Sequence, residues 1–174
     1  MRALLTGMNG TVAPVVAEAL KKQGYEVLQY DRNKVSTEDE REIHAFLTQS
    51  NPDLLMHFAM GDNEWTRKLA KLTREFNIRS SYISSVSVFG ANQEAPFTSY
   101  MTPSPGDEYG HYKLEGEEAS KKANPESYIA RLSWQIGHDK HGNHMVAQLY
   151  QQMNDKGFIE ASNAFYPSAA FIED

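Results

Sequence analysis

Tyr109 and Lys113 are the residues of this sequence whose types and spacing most directly suggest chemistry. Four positions separate them, and residues i and i+4 of a helix share a face, one turn apart. An ammonium beside a phenol favours the phenolate of a group whose ordinary pKa is about 10, which would allow proton transfer near neutral pH. The alternative is an ordinary helix surface. Tyr30 and Lys34 have the same spacing, but they cross a predicted strand end and are interpreted as a chance match.

A glycine-rich turn follows the first apolar run of the chain. In "TGMNGTVA", Gly7, Gly10 and Ala13 occupy the three small-residue positions of a dinucleotide-binding turn. The first allows a tight turn, the second lets the backbone approach a pyrophosphate, and the third packs the helix on the strand. The segment lies between a predicted strand and a predicted helix, whose N-terminal amides favour phosphate. We therefore predict a dinucleotide site rather than a plain strand-helix turn.

The second predicted strand ends in "QYDRN". Asp31 lies 24 residues after Gly7, near the distance expected for the acid that binds a ribose hydroxyl of NAD. Arg32 beside it could instead pair with the extra phosphate of NADP. The choice between NAD and NADP stays open, and a solvated turn is the alternative interpretation.

The elements that must position these residues alternate between short apolar strands and amphipathic helices. Such alternation predicts an α/β fold, a Rossmann-type doubly wound and mostly parallel sheet with helices on both faces. Gly24 is the predicted C-terminal stop of the first helix. "SYIARLSW" reads as one strand, and the last 18 residues read as one or two short strands with a turn.

Composition and charge exclude several classes of protein. With 40% hydrophobic and 23% charged residues, the composition is that of a globular protein. A net charge of −6 argues against nucleic-acid binding, and the absence of cysteine argues against disulfides and thiolate metal sites. We find no signal peptide and no apolar run long enough to span a membrane, so we expect a cytoplasmic protein.

These motifs together resemble the extended short-chain dehydrogenase/reductases, closest to the branch of dTDP-4-dehydrorhamnose reductases and NAD-dependent sugar-nucleotide epimerases. The matching segments run in family order from residue 2 to about residue 137: "TGMNGTVA", "YDRN", "NPDLLMHFA", "YISSVSVFG", "PFTSYMTPSPGDEYGHYKLEGEE" and "ARLSWQIG". The resemblance implies NAD or NADP as cofactor and carbonyl-alcohol chemistry on a small molecule, such as a nucleotide-linked sugar. It also favours a homodimer that pairs through the helix bearing Tyr109 and Lys113.

The resemblance also implies roles for individual residues. Ser85 would hydrogen-bond the reacting oxygen, Tyr109 would transfer the proton, and Lys113 would assist it; Ser84 and Ser87 rank below Ser85. The residues implied to bind the cofactor are Gly7, Asn9, Gly10, Thr11, Asp31, Arg32, Ala59 and Lys113. Tyr112 is expected to be a bystander, although its bulk could reshape the site.

The sequence departs from the family pattern in three places. The segment between "HFAMG" and "NEWTRKLAKL" is short, with Asn63 as the remnant of a cofactor-contacting asparagine. Tyr112 stands where the family has Ser or Thr. The substrate region is short, so we expect a Rossmann domain over 1–137 and a partial substrate region over 138–174. This departure motivates an alternative function, a non-catalytic NAD(P)-binding sensor.

Four histidines have a weaker claim to function. His138, His141 and His144 recur every three residues beside Asp139, but Gly142 and Asn143 favour a solvated loop over a metal site. We therefore predict no metal. His57, within an apolar strand, is expected to be packed or adjacent to the cofactor rather than to act as a base.

Overall fold

The computed structural model describes residues 1–90, 93, 96–137, 145–161, 163 and 168–173. Strands and helices alternate along most of the described chain, as predicted. The strands are β1 (Arg2–Leu5), β2 (Glu26–Gln29), β3 (Leu54–His57), β4 (Arg79–Ser85), β5 (Tyr128–Leu132), β6 (Trp134–Ile136) and β7 (Ala169–Phe171). The helices are α1 (Val12–Lys22), α2 (Glu40–Ser50), α3 (Asn63–Glu75), α4 (Glu108–Ala123) and α5 (Met145–Lys156), with a 3₁₀ turn at Val86–Val88.

Polar side chains and glycine set the helix ends. The side chains of Asp39, Asp62 and Asp107 accept backbone N–H bonds at the starts of α2, α3 and α4. Gly24, just beyond α1, has a φ of +85° and donates its N–H to the Lys21 carbonyl, which confirms it as the stop of that helix.

The first five strands form one parallel sheet in the order β2-β1-β3-β4-β5. The chain moves from β1 outward to β2 and then returns past β1 to β3, so β1 and β3 flank the point where the strand order reverses. In open parallel sheets, ligands bind at the carboxyl edge beside this point. Gly7 and Ala59 follow β1 and β3 at that edge.

Apolar cores on both faces of the sheet confirm the doubly wound architecture. One core joins Leu4 and Leu55 of the sheet to residues of α2 and α3, including Ile43, Leu47 and Trp65. The opposite core places Ala17 of α1 against the sheet residues Ala3 and Leu5, with partly buried apolar side chains around them. Because consecutive side chains of a strand point to opposite faces, β1 supplies both cores.

The segment predicted as one strand, "SYIARLSW", is instead two. β5 ends at Leu132, and after Ser133 the chain leaves the main sheet. β6 then pairs in parallel with β7, matching Trp134 with Ala169 and Ile136 with Phe171. Periodicity missed the break because both halves are apolar strands; only the change of pairing partner separates them.

Candidate functional site

The glycine turn is shaped by close contact between two strand ends. Gly7 has a φ of +76°, and a Cβ added there would lie 2.9 Å from the Ala59 backbone nitrogen. Gly10 closes the turn by donating its N–H to the Gly7 carbonyl at 2.8 Å. A side chain at Gly7 would therefore face both backbone strain and collision with Ala59.

The start of α1 faces this turn with its amides uncapped by the preceding side chain. Thr11 is the N-cap residue, and its side chain makes no capping hydrogen bond within the described part of the chain. The first turn of α1 carries no acidic residue, and its end carries Lys21 and Lys22. The missing side-chain cap and the helix dipole give this end an attraction for anions such as phosphate.

Asp31 and Arg32 lie just after β2, and each has a different partner. The Asp31 carboxylate accepts the Asn33 N–H at 3.0 Å and lies 3.6 Å from Lys34 Nζ. The Asn33 N–H foremost, with Lys34, holds the pKa of Asp31 below its ordinary value. Arg32 points toward the neighbouring strand end, where its Nη1 donates to the Met60 carbonyl at 3.3 Å. The structure thus holds Arg32 against the segment that follows β3.

His57 belongs to a closed, buried hydrogen-bond network. Its Nδ1 lies 2.8 Å from Thr6 Oγ1, and its Nε2 lies 3.0 Å from Thr66 Oγ1. Thr6 Oγ1 already accepts the N–H groups of Phe58 and Ala59, so its hydroxyl hydrogen is directed to Nδ1. The Nε2 proton of a neutral ring is then donated to Thr66. Burial, aided by the charge of Lys113, lowers the pKa of His57 to about 3, which makes it a neutral packed residue.

Lys113 is also buried, but its ammonium group keeps its charge. Its Nζ donates to the Ile83 carbonyl at 2.9 Å and lies 5.2 Å from the centre of the Tyr82 ring and 5.8 Å from that of Tyr109. Desolvation lowers the pKa of Lys113 to about 8, so the ammonium form still predominates at neutral pH. Among the described residues, this cation lies near a backbone carbonyl and aromatic rings and forms no ion pair with a carboxylate.

Tyr109 and Ser85 meet beside Lys113, at the end of β4. Burial raises the pKa of Tyr109, and a side-chain hydrogen bond with Ser85 opposes that rise. Ser85 caps the 3₁₀ turn by accepting the Ser87 N–H and donates its hydroxyl to Ser87 Oγ. Ser84 is committed elsewhere, because its hydroxyl donates to the buried Glu117 carboxylate at 2.6 Å. The three residues assigned by resemblance to catalysis therefore lie together, with Tyr109 still 44% exposed.

Two glycines allow α4 to approach close enough to form this arrangement. A Cβ at Gly110 would lie 2.2 Å from the Ser87 carbonyl oxygen, and one at Gly116 would lie 2.2 Å from the Tyr82 hydroxyl. Farther along α4, Glu117 forms a two-point ion pair with Arg131 of β5 at 2.9 and 2.7 Å. Arg131 thus has a structural role, because it ties β5 to α4.

Tyr112 makes a contact that the sequence did not reveal. Its hydroxyl donates to the Gly61 carbonyl and accepts the Gly61 N–H, both at 3.0 Å. Asn63 also turns toward α4, where its Nδ2 donates to the Tyr112 carbonyl at 3.2 Å. The one signal available was the departure itself: a bulky phenol where the family has a small hydroxyl, together with a short segment after β3.

The predicted histidine group, His138, His141 and His144 with Asp139, lies outside the described residues. Within the described ranges, no group of three or more His, Cys, Asp or Glu side chains could hold a metal ion.

No helix in the described parts of the chain has both the length and the apolar character needed to cross a membrane.

Comparison with known proteins gives consistent results. A dTDP-4-dehydrorhamnose reductase of Mycolicibacterium smegmatis is 26% identical over 176 residues, covering 91% of this chain and 53% of that protein. The chain therefore spans little more than half the length of this relative.

Solved structures show the same fold. The dTDP-4-dehydrorhamnose reductase of Bacillus anthracis in complex with NADP gives a TM-score of 0.76 at 21% identity, covering 89% of this chain and 60% of that one. The UDP-glucose 4-epimerase of Thermus thermophilus in complex with NAD gives 0.75 at 17% identity, covering 99% and 71%.

The family model described as the RmlD substrate binding domain matches residues 1–64 and 61–163, most of the chain. This match confirms the resemblance drawn from the motifs. The chain belongs to the RmlD substrate-binding domain family, within the extended short-chain dehydrogenase/reductases.

Proposed function

We propose that this chain binds NAD or NADP at the carboxyl edge of its main sheet. The observation that carries the proposal is the tight turn at Gly7, which is packed against Ala59, closed by the Gly10 N–H, and followed directly by the start of α1. The uncapped start of α1 supplies the complementary amides. The residues that would hold the cofactor are Gly7, Asn9, Gly10 and Thr11 at the phosphates, Asp31 and Arg32 at the ribose end, and Ala59 and Lys113.

We further propose that the chain reduces a carbonyl group of a nucleotide-linked sugar. The bound cofactor would supply the hydride, as nicotinamides do. Ser85 would hydrogen-bond the carbonyl oxygen, and Tyr109 would donate its phenolic proton to the developing alkoxide. Burial raises the pKa of Tyr109, which favours the protonated phenol that the reductive direction requires. Lys113, charged and close to the ring, would stabilise the phenolate left behind.

The relatives support this substrate class by their names, which include dTDP-4-dehydrorhamnose reductases and a dTDP-4-keto-6-deoxy-D-glucose reductase. A 4-keto sugar linked to dTDP is therefore the first substrate to supply. The serine, tyrosine and lysine roles remain our proposal, since they rest on geometry and on the family pattern.

Cofactor binding is tested by a pair of matched glycine variants. Gly7 and Gly24 both have positive φ, but a Cβ at Gly24 meets no atom within 4 Å among the described residues. Both Gly→Ala variants incur a similar backbone strain of about 1–2 kcal/mol, so only Gly7→Ala adds the collision with Ala59. Titration with NADH and NADPH should show wild-type affinity for Gly24→Ala and loss of binding for Gly7→Ala, with circular dichroism confirming that both fold. Equal binding by all three proteins, or none by the wild type, would contradict the proposed site.

A further inference from the structure

The segment between β3 and α3, residues 58–62, is held at three points. At its start, Ala59 donates its N–H to Thr6 Oγ1 at 3.0 Å. At its end, the Asp62 side chain accepts the Glu64 N–H at 2.9 Å. Between these points, the Tyr112 hydroxyl of α4 binds both the N–H and the carbonyl of Gly61. We call these two hydrogen bonds the Tyr112 latch.

The latch fixes the backbone that orients Arg32. Met60 lies directly before Gly61, and its carbonyl accepts the Arg32 guanidinium at 3.3 Å. The Met60 side chain is 55% exposed, so its own packing does little to hold this part of the segment. The position of the Met60 carbonyl thus depends on the hydrogen bonds of its neighbour, and the guanidinium depends on that carbonyl.

Arg32 lies where the two cofactors differ. In this type of fold, the residues after the second strand meet the adenosine ribose, which bears a 2′-hydroxyl in NAD and a 2′-phosphate in NADP. An arginine retains donors for a phosphate while one of its N–H groups binds a carbonyl, because the guanidinium has five donors in a fixed fork. A guanidinium already held in place loses less freedom when the phosphate binds.

We propose that Tyr112 is a positioning residue for cofactor choice: its latch on Gly61 holds Arg32, through Met60, ready for the 2′-phosphate of NADP. This inference rests on the proposed function, because it assumes that the cofactor binds at this edge. The latch favours NADP over NAD, since NAD presents no phosphate to Arg32. Asp31, the residue directly before Arg32, favours the ribose hydroxyl of NAD and opposes the preference.

The test is a double-mutant cycle read as the ratio of two dissociation constants. The Kd values for NADPH and NADH are measured for wild type, Tyr112→Phe, Arg32→Gln and the double variant; Tyr112→Phe removes only a hydroxyl. We expect Tyr112→Phe to weaken NADPH binding about three- to tenfold, the effect of one less restrained long side chain, and to leave NADH binding unchanged. In the Arg32→Gln background, removal of the hydroxyl should have no further effect on either affinity. Tyr128→Phe, a loss of hydroxyl from a 72% exposed tyrosine, serves as the control.

Each outcome has a definite meaning. A fall in affinity for NADPH alone, absent without Arg32, supports the latch. Equal weakening of both cofactors, or no change in either affinity, leaves the ratio of the two Kd values at its wild-type value. Either result overturns the inference while the proposed function stands. A wild type that binds NADH but not NADPH also overturns it. If the wild type binds neither cofactor, the proposed function itself fails, and the latch falls with it.

Discussion

His57 and Lys113 are both basic and both buried, with 3% and 4% of their surface exposed, yet their surroundings give them opposite characters. Both ring nitrogens of His57 are bound by threonine hydroxyls, and its pKa falls to about 3, so it carries no charge. Lys113 contacts a carbonyl and aromatic rings, and its pKa falls only to about 8.

The two residues also influence each other, because the charge of Lys113 is the second cause of the low pKa of His57. Two neighbouring buried cations would repel, and the fold resolves this by keeping one neutral. Burial of a basic group is therefore not in itself a sign of function. What indicates function is a buried group that keeps its charge beside a reactive group open to solvent, which here is Tyr109 at 44% exposure.

The largest effect that we expect from the contrast between His57 and Lys113 is a loss of turnover when the charge of Lys113 is removed. We expect Lys113→Met to lower the rate of carbonyl reduction by on the order of 10²–10⁴, the range typical of a lost proton-transfer contribution. Lys122→Met, which removes an exposed lysine from the same helix, is the matched control and should retain the wild-type rate. Full activity of Lys113→Met would show that Lys113 has only a packing role, like His57.

A smaller effect concerns stability against acid and belongs to His57. Its folded pKa of about 3 lies below the ordinary 6.5, so the unfolded chain binds the extra proton first as pH falls. The stabilisation is complete above pH 6.5 and decreases as pH falls toward 3, by up to about 1.4 kcal/mol per pH unit. Denaturant unfolding of wild type between pH 7 and 5 should show this slope. In His57→Gln the dependence of the unfolding free energy on pH should lose the contribution of about one proton.

The matched control for that experiment is His111→Gln, which makes the same substitution at an exposed histidine of α4. An unchanged slope in His57→Gln would mean that burial does not hold His57 neutral. The contrast with Lys113 would then fail.

The same contrast shows how far the sequence could lead. Spacing placed Tyr109 and Lys113 on one helix, and the turn motif identified Gly7, because both patterns are local and follow from helix and turn geometry. The partners of His57 could not be foreseen, since Thr6 lies 51 residues away and meets it only through the pairing of β1 with β3.

Long-range contacts also explain what the sequence missed elsewhere. Tyr112 reaches Gly61 across 51 positions, and no periodicity encodes that contact. The break at Ser133 depends on β7, a strand far along the chain that draws β6 away from the main sheet. Elements are local and were predicted; exchanges of partner and hydroxyl contacts between elements were not.

The central claim is that Tyr109, beside the charged Lys113, performs the proton transfer of a carbonyl reduction. It is tested most directly by NADPH oxidation with dTDP-4-dehydrorhamnose at saturating cofactor, comparing wild type, Tyr109→Phe and the control Tyr128→Phe, with the Kd for NADPH measured alongside. We predict that the rate of Tyr109→Phe falls by on the order of 10²–10⁴ while its affinity for NADPH stays within about twofold of wild type. A Tyr109→Phe variant as active as wild type would contradict the claim. A wild type that binds NADPH but reduces no nucleotide sugar would contradict it as well, and would identify a non-catalytic dinucleotide sensor.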